Sequence, residues 1–285
     1  MKAAAFNYHA PASIDEALRL LDEHGEDARI LAGGQSLVPT MAFRLAQPAH
    51  VIDINRIPQA ERPSVAGGRF KIPPLMRHID FESAPVEGPL GALLAQMARH
   101  ISHLPIRLRG TFCGAVAQGD PAAEWCLASV VLGAEMMVRS AARGVRAIPA
   151  AAFFEGMMTT ALADDEMLIE VQIPLLPVYA RTGFGEYARR SGDFALAMAL
   201  AVYDRDEDDM INVRLGVGAV EATARRLHEV EQLMERKVPT KRLFRQAGEA
   251  AADLIDPVDD LHADGPYRRD LTRAVVVKAL ESTLA

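Results

Sequence analysis

The spacing of apolar and polar residues changes period several times along the chain, and each change predicts an element. Ser13-Ile14-Asp15-Glu16 has capping-box spacing, and Ile14, Ala17, Leu18, Leu20 and Leu21 then share one face, so a helix is predicted that stops at Gly25. Before it, Met1 to Pro11 reads as a short strand or extended arm. Arg29 to Leu31 is a short apolar run that reads as a buried strand. A glycine loop follows, then a helical turn over Met41 to Leu45 and a strand at His50 to Ile54, the order of a small βαβ unit. Glu61 to Leu75 carries little signal beyond an edge strand at Arg69 to Ile72, which Pro73-Pro74 must end. Ile79 to Ala84 and Leu90 to His100 read as helices, the second with an apolar stripe of Leu90, Leu93, Leu94 and Met97.

Further on, Asp120 is placed as an N-cap with Pro121 at the first helical position, and that helix runs to about Gly133. Glu135 to Arg139 and Val145 to Ile148 alternate like neighbouring strands. Phe153 to Met157 reads as a helical turn and loop, and Met167 to Ile173 as a strand. Pro174 and Pro177 then mark a boundary: residues 1–176 form a first domain, in parts of about 1–56 and 57–176, and 177–285 a second. In the second, strands are predicted at Phe184 to Ala188, Leu196 to Tyr203 and Met210 to Gly216, with Asp206 to Asp209 as a solvated hairpin tip. Helices follow at Ala224 to Glu235, Thr240 to Leu254 and Tyr267 to Leu284, giving a small antiparallel sheet covered by helices.

The net charge of -7 and the lack of a basic cluster exclude nucleic acid as a partner. Two cysteines, Cys113 and Cys126, suit a reducing compartment and cannot ligate an iron–sulfur cluster. No signal peptide or transmembrane stretch is seen, and a cytoplasmic protein is expected.

Candidate chemistry lies in two glycine loops. In Ala32-Gly33-Gly34-Gln35-Ser36, glycines at a strand end permit positive φ and close approach, and successive free N–H groups can hold a diphosphate. The same pattern also serves as a plain tight turn. The second loop, Arg107 to Ala115, leads to Asp120 and Glu124. Glu124 can complement the helix dipole or accept hydrogen bonds from ribose hydroxyls. Gly216-Val217-Gly218-Ala219-Val220-Glu221 mimics a dinucleotide fingerprint but has Glu221 at the third glycine, and is set aside.

Taken together, Ala32-Gly33-Gly34-Gln35-Ser36, Arg109-Gly110-Thr111, and Asp120-Pro121-Ala122-Ala123-Glu124 resemble the flavoprotein subunit of the molybdenum hydroxylases. This is the medium subunit of aerobic carbon monoxide dehydrogenase and the FAD domain of xanthine dehydrogenase. Ile148-Pro149 with Phe153-Phe154, Asp165 to Leu168, Ile173-Pro174 and Arg189 to Ala195 support the resemblance in the same order. It implies an α+β protein, with a two-part FAD-binding domain of the vanillyl-alcohol-oxidase (PCMH) type and a C-terminal flavoprotein domain. It implies FAD contacts at Arg29, Ile30, Leu31, Ala32, Gly33, Gly34, Gln35 and Ser36, then at Thr111, Phe112, Cys113, Gly114, Ala115, Asp120, Glu124 and Leu168. Arg29 can equally be a surface charge. No catalytic or metal-binding residue is assigned to this chain.

The chain departs from the family's Thr-Ile-Gly-Gly-Asn with Thr111-Phe112-Cys113-Gly114-Ala115, and Cys113 would be strained if its backbone needs positive φ. Pro73-Pro74 stands where Gly-Ala is usual, and Gln118-Gly119 where His-Ala is common. As a thiol, Cys113 is read as a small buried side chain rather than a redox group. The resemblance further implies a small subunit with two 2Fe-2S clusters, a large subunit with a molybdenum pterin cofactor, and a dimer of heterotrimers. The alternative is a flavin-free scaffold in the same complex. A stand-alone flavin oxidase finds no acid–base constellation.

Overall fold

A computed structural model describes residues 2–58 and 62–284. Met1, Glu61 and Ala285, which fall within readings above, lie outside the described residues. The chain opens with β1 (Asn7–His9), α1 (Ile14–His24), β2 (Ala28–Leu31), α2 (Leu37–Ala42) and β3 (His50–Asp53). Ser13 caps α1, its hydroxyl accepting from Glu16 N at 3.2 Å. The reciprocal bond of the capping box goes one residue further out, from Ala12 N to Glu16 Oε2 at 2.8 Å. β1 and β2 both pair with β3 in parallel, in the order β1-β3-β2. The intervening helix starts at Leu37 rather than Met41, because Pro39 is compatible with a first helical turn.

A five-stranded antiparallel sheet follows. It is assembled from β4 (Ser64–Ala66), β5 (Arg69–Ile72), β6 (Glu135–Ser140), β7 (Gly144–Pro149) and β10 (Glu166–Pro174) in the order β4-β5-β10-β6-β7. β5 is not the edge strand: β4, which the sequence pattern does not reveal, covers it. Between β5 and β6 run α3 (Pro89–Ala98), α4 (Leu104–Arg107), α5 (Phe112–Gln118) and α6 (Glu124–Leu132). The helix expected at Ile79 to Ala84 is one 3-10 turn, His78–Phe81. α7 (Ala150–Phe153) and the ribbon of β8 (Phe154–Gly156) and β9 (Thr159–Thr160) complete this part.

The last third contains β11 (Arg181–Tyr187), β12 (Ala197–Asp206), β13 (Asp209–Gly218) and β14 (Arg225–Arg226), an antiparallel sheet in that order. It is followed by α8 (His228–Met234), α9 (Lys241–Leu254) and α10 (Gly265–Ser282). β14 and α8 replace the single helix expected over Ala224 to Glu235. The fingerprint mimic at Gly216 and Gly218 is ladder strand in β13.

β12 explains how the two halves join. Successive strand side chains point to opposite faces. Met198, Leu200 and Val202 enter the core shared with α3, α6 and the five-stranded sheet, whereas Ala197, Ala199, Ala201 and Tyr203 enter a core with α9 and α10. Both faces are covered, so the strand is a continuous apolar run. On β11, a Cβ at Gly183 or Gly185 would overlap the carbonyl oxygens of Ala279 or Val275, so α10 lies directly on the strand. A third core, Ala17, Leu18, Leu21, Ile52 and Ile54 among others, sits between α1 and the parallel sheet.

Candidate functional site

The first glycine loop connects β2 to α2. A Cβ at Gly33 would overlap the Arg109 carbonyl oxygen and stand 2.6 Å from Gly110 Cα, so the two loops meet main chain to main chain. Gly34 has φ +72°, which a side chain disfavours. Gln35 Nε2 donates to Gly33 O at 2.9 Å. The backbone N–H groups from Gly33 to Ser36 have no partner among the described residues, leaving a row of donors suited to an anion.

The second loop is the start of a helix. Thr111 is the N-cap of α5, its Oγ1 accepting from Gly114 N at 3.0 Å. Cys113 therefore has helical backbone and does not need positive φ, which corrects the strain expected there. Its buried thiol lies 3.5 Å from the carbonyl oxygens of Ile72 and Pro73, and burial pushes it well above the ordinary thiol range. Of the two departures that suggest a flavin-free scaffold, Cys113 and Pro73-Pro74, the first is thereby removed.

Polar residues from between the loops clamp them together. Asn55 Nδ2 donates to Ala32 O at 2.8 Å, and the Arg77 guanidinium donates to Asn55 Oδ1 at 2.6 Å and to the Arg109 carbonyl. His78 N donates to Gly110 O at 3.0 Å. The His78 ring accepts at Nδ1 from the Trp125 indole at 2.9 Å. Because an indole only donates, the neutral ring carries its proton on Nε2. Burial first, then Arg77 and Arg107, lowers His78 to about 4.

These loops line a cavity of about 600 Å³, within the usual range for cofactor pockets. Of the residues anticipated from sequence, Arg29, Ile30, Ala32 to Ser36, Thr111, Cys113, Gly114, Ala115 and Leu168 lie on its wall. Arg29 is folded back, its Nη1 donating to the carbonyls of Glu26 and Ala28. Leu168 sits at a bulge of β10 against β6.

Leu31, Phe112, Asp120 and Glu124 lie off that wall. Phe112 is core, stacked at 4.8 Å on Trp125. Asp120 is not the N-cap of α6, which is Ala123. Its carboxylate instead closes a turn, accepting from Ala122 N at 2.9 Å, and it lines a second cavity of about 580 Å³. Glu124 is the first residue of α6; burial, then the charge of Glu186, pushes it up to about 8.

Sequence reasoning missed His78, Gln118 and Glu166 on the wall. Glu166 is held by Arg146 at 2.8 and 2.7 Å and by Ala163 N at 3.0 Å, which lowers it to about 2. Its signal was present, an acidic residue opening the strand that contains Leu168.

Residues 4–176 match the FAD binding domain in molybdopterin dehydrogenase, and residues 183–283 match the CO dehydrogenase flavoprotein C-terminal domain. The nicotine 6-hydroxylase medium subunit of Paenarthrobacter nicotinovorans is 36% identical over 98% of both chains. The caffeine dehydrogenase subunit beta of Pseudomonas sp. strain CBB1 is 32% identical over 98% of this chain and 95% of that one. The fold superposes on carbon monoxide dehydrogenase from Hydrogenophaga pseudoflava lacking the Mo-pyranopterin moiety of its cofactor, with TM-score 0.95, 33% identity and coverage of 100% and 99%. It superposes on quinoline 2-oxidoreductase from Pseudomonas putida 86 with TM-score 0.92, 32% identity and the same coverage. With its paired glycine loops and both domains matched end to end, the chain belongs to the family of FAD-binding medium subunits of the molybdenum hydroxylases.

Proposed function

We propose that this oxidoreductase subunit holds FAD in the 600 Å³ cavity and relays electrons from the 2Fe-2S clusters of a small partner subunit to an external acceptor. A large partner subunit with a molybdenum pterin cofactor would oxidise the substrate, carbon monoxide, an N-heterocycle or an aldehyde. The observation that carries this reading is the cradle at Gly33 to Ser36, where main-chain donors without a partner among the described residues lie on the cavity wall and Gly33 admits no side chain. These residues fit a dinucleotide pyrophosphate without a basic side chain. Bound FAD supplies exchange between one-electron and two-electron carriers.

The chain's own residues bind and orient. Gly33 to Ser36 would hold the diphosphate, and Thr111, Gly114, Ala115 and Leu168 the remainder of the cofactor. Glu124 and Asp120 would act from behind the second loop. The neutral His78 ring lies on the same cavity wall, its Nε2 against Gly110. The reading places the domain boundary after residue 176, between β10 and β11, and the assembly as a dimer of heterotrimers in the cytoplasm. No helix among the described residues is long and apolar enough to cross a membrane.

The test is a single-turnover experiment on the purified complex. Substrate should bleach the flavin after the clusters are reduced. Removing the flavin should abolish acceptor reduction and leave cluster reduction intact. Acceptor reduction at an unchanged rate without flavin would refute the relay.

A further inference from the structure

Outside the cofactor cavity, three histidines from three separate elements converge. His9 is the last residue of β1, His24 the last residue of α1, and His50 the first residue of β3. In the parallel ladder Asn7 lies beside His50 and His9 beside Ile52, so His9 and His50 share the face that Ile52 turns toward α1. The end of α1 brings His24 onto the same face. One ligating nitrogen from each ring lies within 4.8 Å of the other two. His9 Nε2 and His50 Nδ1 are 2.9 Å apart, and the His24 and His50 rings stack with centroids 3.6 Å apart.

Such convergence needs a reason. Three imidazoles repel one another when protonated, and apolar packing does not select them. Metal coordination does select them. Three imidazole nitrogens around a tetrahedral zinc ion at 2.0–2.1 Å stand roughly 3.3 Å from one another. His9 Nε2 and His50 Nδ1 lie just inside that figure and all three nitrogens fall within 4.8 Å, so closing the site requires rotation of the side chains, His24 turning off its stack on His50. The surroundings also favour a cation. The carbonyl end of α1 carries partial negative charge, and the Glu23 carboxylate is near enough to act on His9.

The geometry points to a second cofactor site in this chain: a divalent transition-metal site of the zinc class, formed by His9, His24 and His50, with a fourth position open to water. Nitrogen ligands select zinc, copper or nickel over magnesium and calcium. The ion would staple the N-terminal strand β1 to β3 and to the end of α1. α1 and β2 supply Leu21, Ala28 and Arg29 to the cofactor cavity wall, so the staple braces the element that holds the first glycine loop.

The test uses the full-length chain with any co-purifying subunits, stripped with chelator and titrated with Zn²⁺ by calorimetry. Zinc per chain is measured by mass spectrometry after gel filtration. One Zn²⁺ per chain is expected. His24→Gln and His50→Gln should each weaken binding by at least the roughly 10–100-fold that loss of a mere outer-shell partner costs. Their circular dichroism should match the unsubstituted chain. Should either substitution prevent folding, His9→Gln on the short outer strand serves in its place. No stoichiometric zinc, or zinc retained with unchanged affinity in these variants, would overturn the site.

Discussion

The two glycine loops look alike in sequence and rest on different physics. The first, Ala32 to Ser36, depends on glycine itself: Gly33 because main chain occupies the place of a Cβ, Gly34 because of its φ of +72°. The second, Arg109 to Ala115, depends on a cap, Thr111, and on a helix that accepts side chains at Phe112 and Cys113, while its Gly110 and Gly114 are closed in by the His78 ring and by Thr111 Oγ1. A departure from the family motif is therefore costly at Gly33 and cheap at Cys113, where the helix has room for a side chain.

Gly33→Val should break the comparison most severely. Its side chain must displace the Arg109 and Gly110 main chain, which also separates the loops. FAD affinity should fall more than about a hundredfold, equivalent to roughly 3 kcal/mol, read by fluorescence titration. At the start of α6, Glu124→Gln tests the half-buried acid. Folded Glu124 titrates near 8 against an ordinary 4.5. The unfolded chain thus loses its proton first, and stability falls as pH rises from about 4.5 to about 8. The substitution should abolish that decline, on the order of a few kcal/mol at pH 8, and change nothing below pH 4. Denaturant melts of flavin-free protein across this range would show it.

Gly34→Ala should cost about 1–2 kcal/mol in cofactor affinity or stability, through its left-handed backbone. Thr111→Ala, which removes a cap, should cost about 1 kcal/mol of stability. The smallest effect on the cofactor belongs to Cys113→Gly. It restores the residue usual in the family's motif, yet should lower stability by about 1–2 kcal/mol, chiefly through loss of the buried thiol side chain, and leave FAD affinity unimproved. A tighter cofactor in that variant would show that the second loop needs glycine after all.

The same contrast explains what was legible in the sequence. The first loop was readable because glycine's conformational freedom is local. The α1 cap at Ser13 and the strand holding Leu168 were readable for the same reason, since spacing alone encodes them. The second loop was misread because its glycines drew notice while Thr111 followed by an apolar run, an ordinary helix start, did not. Asp120 and Pro121 have N-cap chemistry, but the turn at Ala122 delays the helix to Glu124. His78 owes its role to Trp125, a partner 47 residues away that no local pattern reveals. The His9, His24 and His50 cluster likewise exists only once β1 and β3 are paired. β12 was readable as a strand, but its burial on both faces, which joins the halves, required the packing of α6 and α10.

The most direct test is the FAD-to-chain ratio of the purified complex, by acid release and mass spectrometry, in the unsubstituted chain and in Gly33→Val. The paired-loop account predicts one FAD per chain, lost in the variant while Cys113→Gly keeps it. A flavin-free complex with partners still bound, or full flavin in Gly33→Val, would contradict it.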